Sequence, residues 1–188
     1  MGPRDNKMDL SVRIGSLTLT NPLIAASGCF GYGTEYAEIV DLSSLGGVAV
    51  KGLFLAEREG HPPPRIVETP AGMLNAIGLQ GIGVHRFVNE KLPELRRLGV
   101  TTIVNVCGST IDEYCEVTRV LSDAEGVGAI ELNISCPNVS GGVDFGTDPR
   151  MCEKVVARCR AACDRPIIAK LTPNVAGIGE VAAGAESG

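Results

Sequence analysis

The stretch Ala129-Ile-Glu-Leu-Asn-Ile-Ser-Cys-Pro-Asn138 decides the fold, because an apolar run of strand length passes straight into a loop of Asn, Ser, Cys and Pro. The same pattern recurs along the chain. Short apolar runs at residues 23–26, 47–50, 101–106 and 166–171 lead into Ser27-Gly28, Lys51-Gly52, Cys107-Gly108 and the polar stretch 170–174. Between them, apolar residues return with helical spacing at 35–42, 84–98, 111–122, 149–162 and from 178 onward. Apolar strands alternating with amphipathic helices predict a parallel sheet covered by helices. Polar and Gly-rich clusters gather at the strand C-terminal ends, where (β/α) barrels carry their sites, although open sheets also bind ligands there. No Gly-x-Gly-x-x-Gly follows the first strand, which argues against an open dinucleotide-binding sheet. The expected class is therefore α/β, a TIM barrel.

A β-hairpin is predicted ahead of the barrel. Val12 and Ile14 alternate with polar residues, Gly15-Ser16 turns, and Leu17 and Leu19 alternate again up to Asn21-Pro22. Only five barrel strands follow, whereas a closed barrel takes eight strands and roughly 250 residues. Residues 1–188 are thus expected to form one incomplete domain, truncated after about five βα units, with the fifth strand left as an exposed edge.

Composition narrows the function. With 44% hydrophobic and 21% charged residues the chain can form a packed core, so disorder is not expected. A net charge of −5 without runs of like charge gives no reason to expect nucleic acid or a membrane surface as partner. No apolar stretch approaches the ~20 residues of a membrane span. The first ten residues mix both charge signs without an apolar core, unlike a secretory signal. Seven cysteines, with no Cys-x-x-Cys, fit free thiols in a reducing cytoplasm, which is the expected location.

Several residue types point to chemistry. Cys136, in a Ser/Pro/Asn loop at a strand end, is placed as a base or nucleophile would be, or else is a small buried filler. The other six cysteines are assigned to packing. Lys51 and Lys170 each close an apolar strand. Two lysines entering one cavity would stabilise an anion, such as a carboxylated substrate or a reduced flavin; the alternative is that they reach past the strand ends to solvent. Asn75, Asn105, Asn133 and Asn138 offer paired donors and acceptors to a planar heterocycle, or simply make turns. Ala26-Ser27-Gly28 allows a close backbone approach after the first strand. The excursion 52–83, with its run His61-Pro-Pro-Pro64, has the length of a lid or substrate loop. His61 and His85 read as structural, and the spacing of His and carboxylates predicts no metal site.

Taken together, five segments resemble the class 1 dihydroorotate dehydrogenases, specifically the catalytic subunit of the NAD-linked B type. They are Ala26-Ser-Gly-Cys-Phe-Gly-Tyr-Gly-Thr-Glu35, Lys51-Gly52, Pro62-Pro-Pro-Arg-Ile-Val-Glu-Thr-Pro-Ala-Gly-Met-Leu-Asn-Ala-Ile-Gly-Leu-Gln80, Glu131-Leu-Asn-Ile-Ser-Cys-Pro-Asn-Val139 and Ala169-Lys-Leu-Thr-Pro-Asn174, in the family's order. The resemblance implies an FMN-dependent barrel that oxidises (S)-dihydroorotate to orotate in de novo pyrimidine (UMP) biosynthesis. It makes Cys136 the base that takes a proton from C5 while hydride passes from C6 to flavin N5. Lys51 would lie against the flavin and help to hold orotate. Asn75 with Ile77, Gly78 and Leu79 would bind the substrate's ring and carboxylate, and Asn133 and Asn138 would bracket substrate and flavin. Ala26, Ser27, Asn105 and Lys170 would contact FMN.

The resemblance also implies a partner subunit carrying an iron–sulfur cluster and FAD, in a heterotetramer that delivers electrons to NAD. Nothing in this sequence resembles a site for either group. The pattern departs from the family at Val175-Ala-Gly-Ile-Gly179, where a threonine–aspartate helix start is usual. The later asparagine–threonine substrate strand and the Gly-rich loops that grip the FMN phosphate have no counterpart, so this sequence alone is expected to bind FMN weakly or not at all and to be inactive. Two other readings remain open at this point: a flavin domain like that of dihydropyrimidine dehydrogenase, and a non-catalytic truncated remnant.

Overall fold

The chain opens with a hairpin of β1 (Val12–Ile14) and β2 (Leu17–Leu19), paired antiparallel through Val12 and Leu19 as the alternation predicted. The computed structural model describes residues 8–135 and 145–188. Cys136 and Asn138 lie outside the described residues. After the hairpin come β3 (Ile24–Ala25), β4 (Gly47–Ala49), the antiparallel pair β5 (Ile66–Thr69) and β6 (Gly72–Asn75), then β7 (Thr102–Val106), β8 (Val127–Asn133) and β9 (Ile167–Lys170). Strands β3, β4, β7, β8 and β9 form one parallel sheet in that spatial order. The helices are α1 (Val84–Arg86), α2 (Leu92–Arg97), α3 (Ile111–Ser122), α4 (Pro149–Arg160) and α5 (Ile178–Ser187).

Strand periodicity sorts the sheet's side chains into two cores, which is the mark of a barrel wall rather than a single-faced sheet. Val48, Val50, Val104, Val106, Ile130 and Leu132 face the helices and join a large apolar core with Leu95, Val117, Leu121 and Val155. Ala49, Ile103 and Ala129 point the other way and form a small second core, capped by Leu17 of the hairpin and flanked by Ile168. Leu17 thus plugs the N-terminal end of the strands. The residues that follow at period two on this inner face are Lys51, Asn105, Glu131, Asn133 and Lys170. A barrel interior narrows to small residues at its base and opens to polar ones at its C-terminal mouth.

Helix ends follow local chemistry. Thr110 Oγ1 accepts from Glu113 N at 3.1 Å to start α3, and Glu113 Oε2 accepts from Ser109 N at 2.7 Å. Asp148 accepts from Arg150 N at the start of α4, with Pro149 in the first turn, where its missing N–H costs nothing. The start of α5 at Gly177 has no side-chain cap, matching the weakened start read in the sequence.

Three details differ from the expectations. Residues 35–42 do not form a helix; the chain makes 3₁₀ turns at Thr34–Tyr36 and Leu42–Ser44. Asp41 accepts from Ser43 N and begins the second turn, while Ile39 is left 79% exposed, so the apolar spacing there buries no stripe. Residues 84–98 are helical, but a π turn at Phe87–Lys91 joins α1 to α2 immediately before Pro93. Proline has no N–H for the regular ladder, and the wider turn absorbs the missing bond. Finally, the excursion 52–83, expected only as a lid or substrate loop, contains the hairpin β5–β6.

Candidate active site

At the C-terminal mouth of the sheet lies a cavity of about 330 Å³, lined among others by Ser27, Lys51, Gly52, Phe54, Ile77, Leu79, Asn105, Cys107, Asn133 and Lys170. Each strand contributes at its end: Ser27 follows β3, Lys51 follows β4, Asn105 belongs to β7, Asn133 to β8 and Lys170 to β9. The volume suits a small planar ligand.

A continuous hydrogen-bonded floor connects these side chains. Lys170 Nζ donates to Ser27 Oγ at 2.6 Å, and Ser27 Oγ donates to Glu131 Oε1 at 2.8 Å. Asn105 Nδ2 donates to the same Glu131 oxygen at 2.5 Å and to Ser27 Oγ at 3.2 Å. On its other side, Asn105 Oδ1 accepts from Asn133 Nδ2 at 3.4 Å, and Asn133 Oδ1 accepts from Ser135 Oγ at 2.6 Å. Asn105 is 1% exposed, so these bonds offset the cost of burying its amide. Lys170 Nζ lies 3.9 Å from Glu131 Oε1, with the lysine side chain at the cavity edge and the carboxylate largely buried.

The walls require close backbone approach. A Cβ on Gly52 would stand 2.6 Å from Cys107 Sγ and 2.9 Å from Asn105 Oδ1, so only glycine fits against this floor. Opposite it, Gly78 and Leu79 are both left-handed, at φ of 77° and 56°. A leucine in that conformation costs roughly 1 kcal/mol or more, the kind of strain that gathers at binding sites. A Cβ on Gly78 would also meet His61 N at 2.5 Å. His61 Nδ1 sits 3.1 Å from Ala76 O, so this histidine pins the loop backbone.

Of the residues singled out in the sequence, Ser27, Lys51, Ile77, Leu79, Asn105, Asn133 and Lys170 converge on the one cavity. Ala26 is not among the lining residues, and its carbonyl accepts from Cys29 N at 3.3 Å. Gly78 shapes the wall from outside the lining. Asn75 stands apart on β6, beside a separate hollow of about 210 Å³ with Arg65, Ile66 and Leu74. Cys136 and Asn138 lie outside the described residues; Ser135, just before them in the chain, is tied to Asn133.

Two members of the site escaped the sequence reading. Cys107, assigned to packing, borders the cavity beside Asn105 and Asn133. Glu131 was passed over inside an apolar strand, yet strict alternation with Ala129 and Asn133 put it on the inner face. The thiols on the outer helices do behave as packing groups. Burial pushes Cys159 up to about 12 and raises Cys152 as well, which keeps both in the unreactive thiol form. Among the described residues, no group of three His, Cys, Asp or Glu is placed to hold a metal ion, and no helix is long and apolar enough to cross a membrane.

A family model described as dihydroorotate dehydrogenase matches residues 9–187. The chain belongs to the dihydroorotate dehydrogenase family. It is 52% identical over 170 residues to the dihydroorotate dehydrogenase B (NAD(+)) catalytic subunit of Pelobacter propionicus, covering 90% of this chain and 56% of that protein. It is also 52% identical over 181 residues to the subunit of the same name from Trichlorobacter lovleyi, covering 96% and 60%. The chain thus spans a little over half the length of these dihydroorotate dehydrogenase relatives. The fold matches that of a DHODH from Eimeria tenella solved in complex with ferulenol, with a TM-score of 0.73 over 98% of this chain and 59% of that one, at 19% identity. The five-stranded parallel sheet with its helices is accordingly part of a dihydroorotate dehydrogenase (β/α) barrel.

Proposed function

We propose that the protein is an FMN-dependent oxidoreductase of the B type that converts (S)-dihydroorotate to orotate in pyrimidine biosynthesis, in the cytoplasm. The observation that carries this reading is the convergence of Ser27, Lys51, Asn105, Asn133 and Lys170 on one cavity at the strand ends. The donor set fits a flat, multiply carbonylated ring: two ammonium groups, two amides and a hydroxyl around a floor kept shallow by Gly52. The phosphate of FMN would be held by segments that the longer relatives have in addition to the length matched here.

When bound, FMN supplies the hydride acceptor. The chain's own residues do the rest. Ser27, Asn105 and Lys170 would hold the ring from the strand ends. Lys51 and Lys170 bring positive charge to a site where negative charge grows as dihydroorotate is oxidised. Ile77, Gly78 and Leu79 would present backbone groups to the substrate and Asn133 and Asn138 would bind its ring and carboxylate, with Asn75 joining them only once the β5–β6 hairpin carries it from its separate hollow to the cavity. Cys136 accepts the proton lost from C5. A partner subunit carrying an iron–sulfur cluster and FAD would supply the path for electrons to NAD.

The test is an assay of the full-length protein, reconstituted with FMN, against dihydroorotate and dihydrouracil. Turnover of dihydroorotate alone is expected, and Cys136→Ala should lower kcat by roughly 10²-fold or more, the scale of a lost general base. Turnover of dihydrouracil in its place would overturn the assignment.

A further inference from the structure

Glu131 lies directly under the cavity lining, and three of the lining residues converge on one of its oxygens, Oε1. Ser27 Oγ and Asn105 Nδ2 donate to it at 2.8 and 2.5 Å, and Lys170 Nζ lies 3.9 Å away. A carboxylate only accepts, so it fixes the direction of every bond that reaches it. With its NH₂ turned to Glu131, Asn105 presents Oδ1 to Asn133 Nδ2, and Asn133 in turn presents Oδ1 to Ser135. The same oxygen places a negative charge 3.9 Å from the ammonium of the lysine of β9.

We propose that Glu131 is a positioning residue: its carboxylate orients Ser27 and Asn105 and offsets the charge of Lys170, and thereby sets how strongly the cavity favours an anionic ring over a neutral one. The proposal rests on the FMN reading above. Reduced flavin is the anionic form, so the quantity under control is the reduction potential of the bound cofactor. Removing the carboxylate charge leaves Lys170 uncompensated and favours the reduced form.

Glu131→Gln isolates that charge, because a glutamine can present its own Oε1 to Ser27 and Asn105. The experiment measures the midpoint potential of FMN in the full-length protein, wild type against Glu131→Gln and Glu131→Asp. Glu131→Gln is expected to hold reduced over oxidised flavin about tenfold more tightly, a rise of about 30 mV for a two-electron couple. Glu131→Asp, whose charge is withdrawn by one methylene, should fall between the two. If Glu131→Gln does not retain flavin, the Asp variant decides by the same sign. A potential that stays at the wild-type value or falls, in a variant that retains flavin, overturns the proposal while leaving the cofactor reading intact. Wild-type protein that binds no FMN removes the cofactor reading and the proposal together.

Discussion

The strand-end floor and the β5–β6 hairpin both contribute residues named from the sequence, and they are built on opposite principles. On the floor, Ser27, Asn105, Glu131, Asn133 and Lys170 are linked by successive hydrogen bonds and anchored in strands paired on the parallel sheet. On the hairpin, Val67 faces Leu74 across the ladder with both side chains more than half exposed, and Asn75 sits at its end. The floor is preorganised by burial; the hairpin is an extension whose apolar side chains Ile66, Val67, Met73 and Leu74 are each more than half exposed. On the function proposed above, electronic control of a bound ring would belong to the floor, and selection of substrate to the hairpin and the loop that follows it.

The largest effect expected from breaking the floor is on catalysis. Lys170→Ala in the FMN-loaded full-length protein removes a preorganised charge and should lower kcat by roughly 10²–10³-fold in steady-state assays. Beneath the floor, Ile103→Ala hollows the inner core and should cost about 2–5 kcal/mol in denaturant unfolding, because Ala49 and Ala129 are too small to fill the gap. Asn75→Ala sharpens the contrast. It should raise KM for dihydroorotate by roughly tenfold, the order of one lost hydrogen bond to a charged group, while the flavin potential stays fixed. A shift in potential with KM unchanged would reverse the assignment of the two regions. On the hairpin itself, Val67→Thr should change stability by no more than about 0.5 kcal/mol, since the residue is already in water.

Alkaline pH gives a separate test. Burial raises Cys159 from its ordinary 9.0 to about 12 in the folded protein. The unfolded chain then loses this proton first, so the stability contributed by the neutral thiol is complete below pH 9.0 and declines as pH rises from there towards 12. Urea midpoints measured across that range should fall for the wild type and fall less for Cys159→Ala.

Much of the fold was legible because strand and helix periods leave separate marks. The five parallel strands, α3 and the opening hairpin lie where the apolar spacing put them, and the clusters after each strand became one cavity. Residues 35–42 misled because their apolar spacing is helical while Asp41 supplies a competing local hydrogen bond. The β5–β6 hairpin was hidden because its turn, Pro70-Ala71, lacks the Asn-Gly or Gly-x signature of a two-residue connection. Glu131 was the instructive omission. Read as a continuous apolar run, β8 conceals it; read at period two, Ala129, Glu131 and Asn133 share a face, and an acid on the inner face of a barrel strand requires partners. Which partners it finds depends on contacts between strands far apart in the chain, and these are not written locally.

The most direct test of the central claim is an anaerobic titration of the FMN-loaded full-length protein with dihydroorotate, followed by flavin absorbance. Stoichiometric bleaching by dihydroorotate, and none by dihydrouracil, is the predicted result. Flavin that stays oxidised in the presence of dihydroorotate would contradict the account.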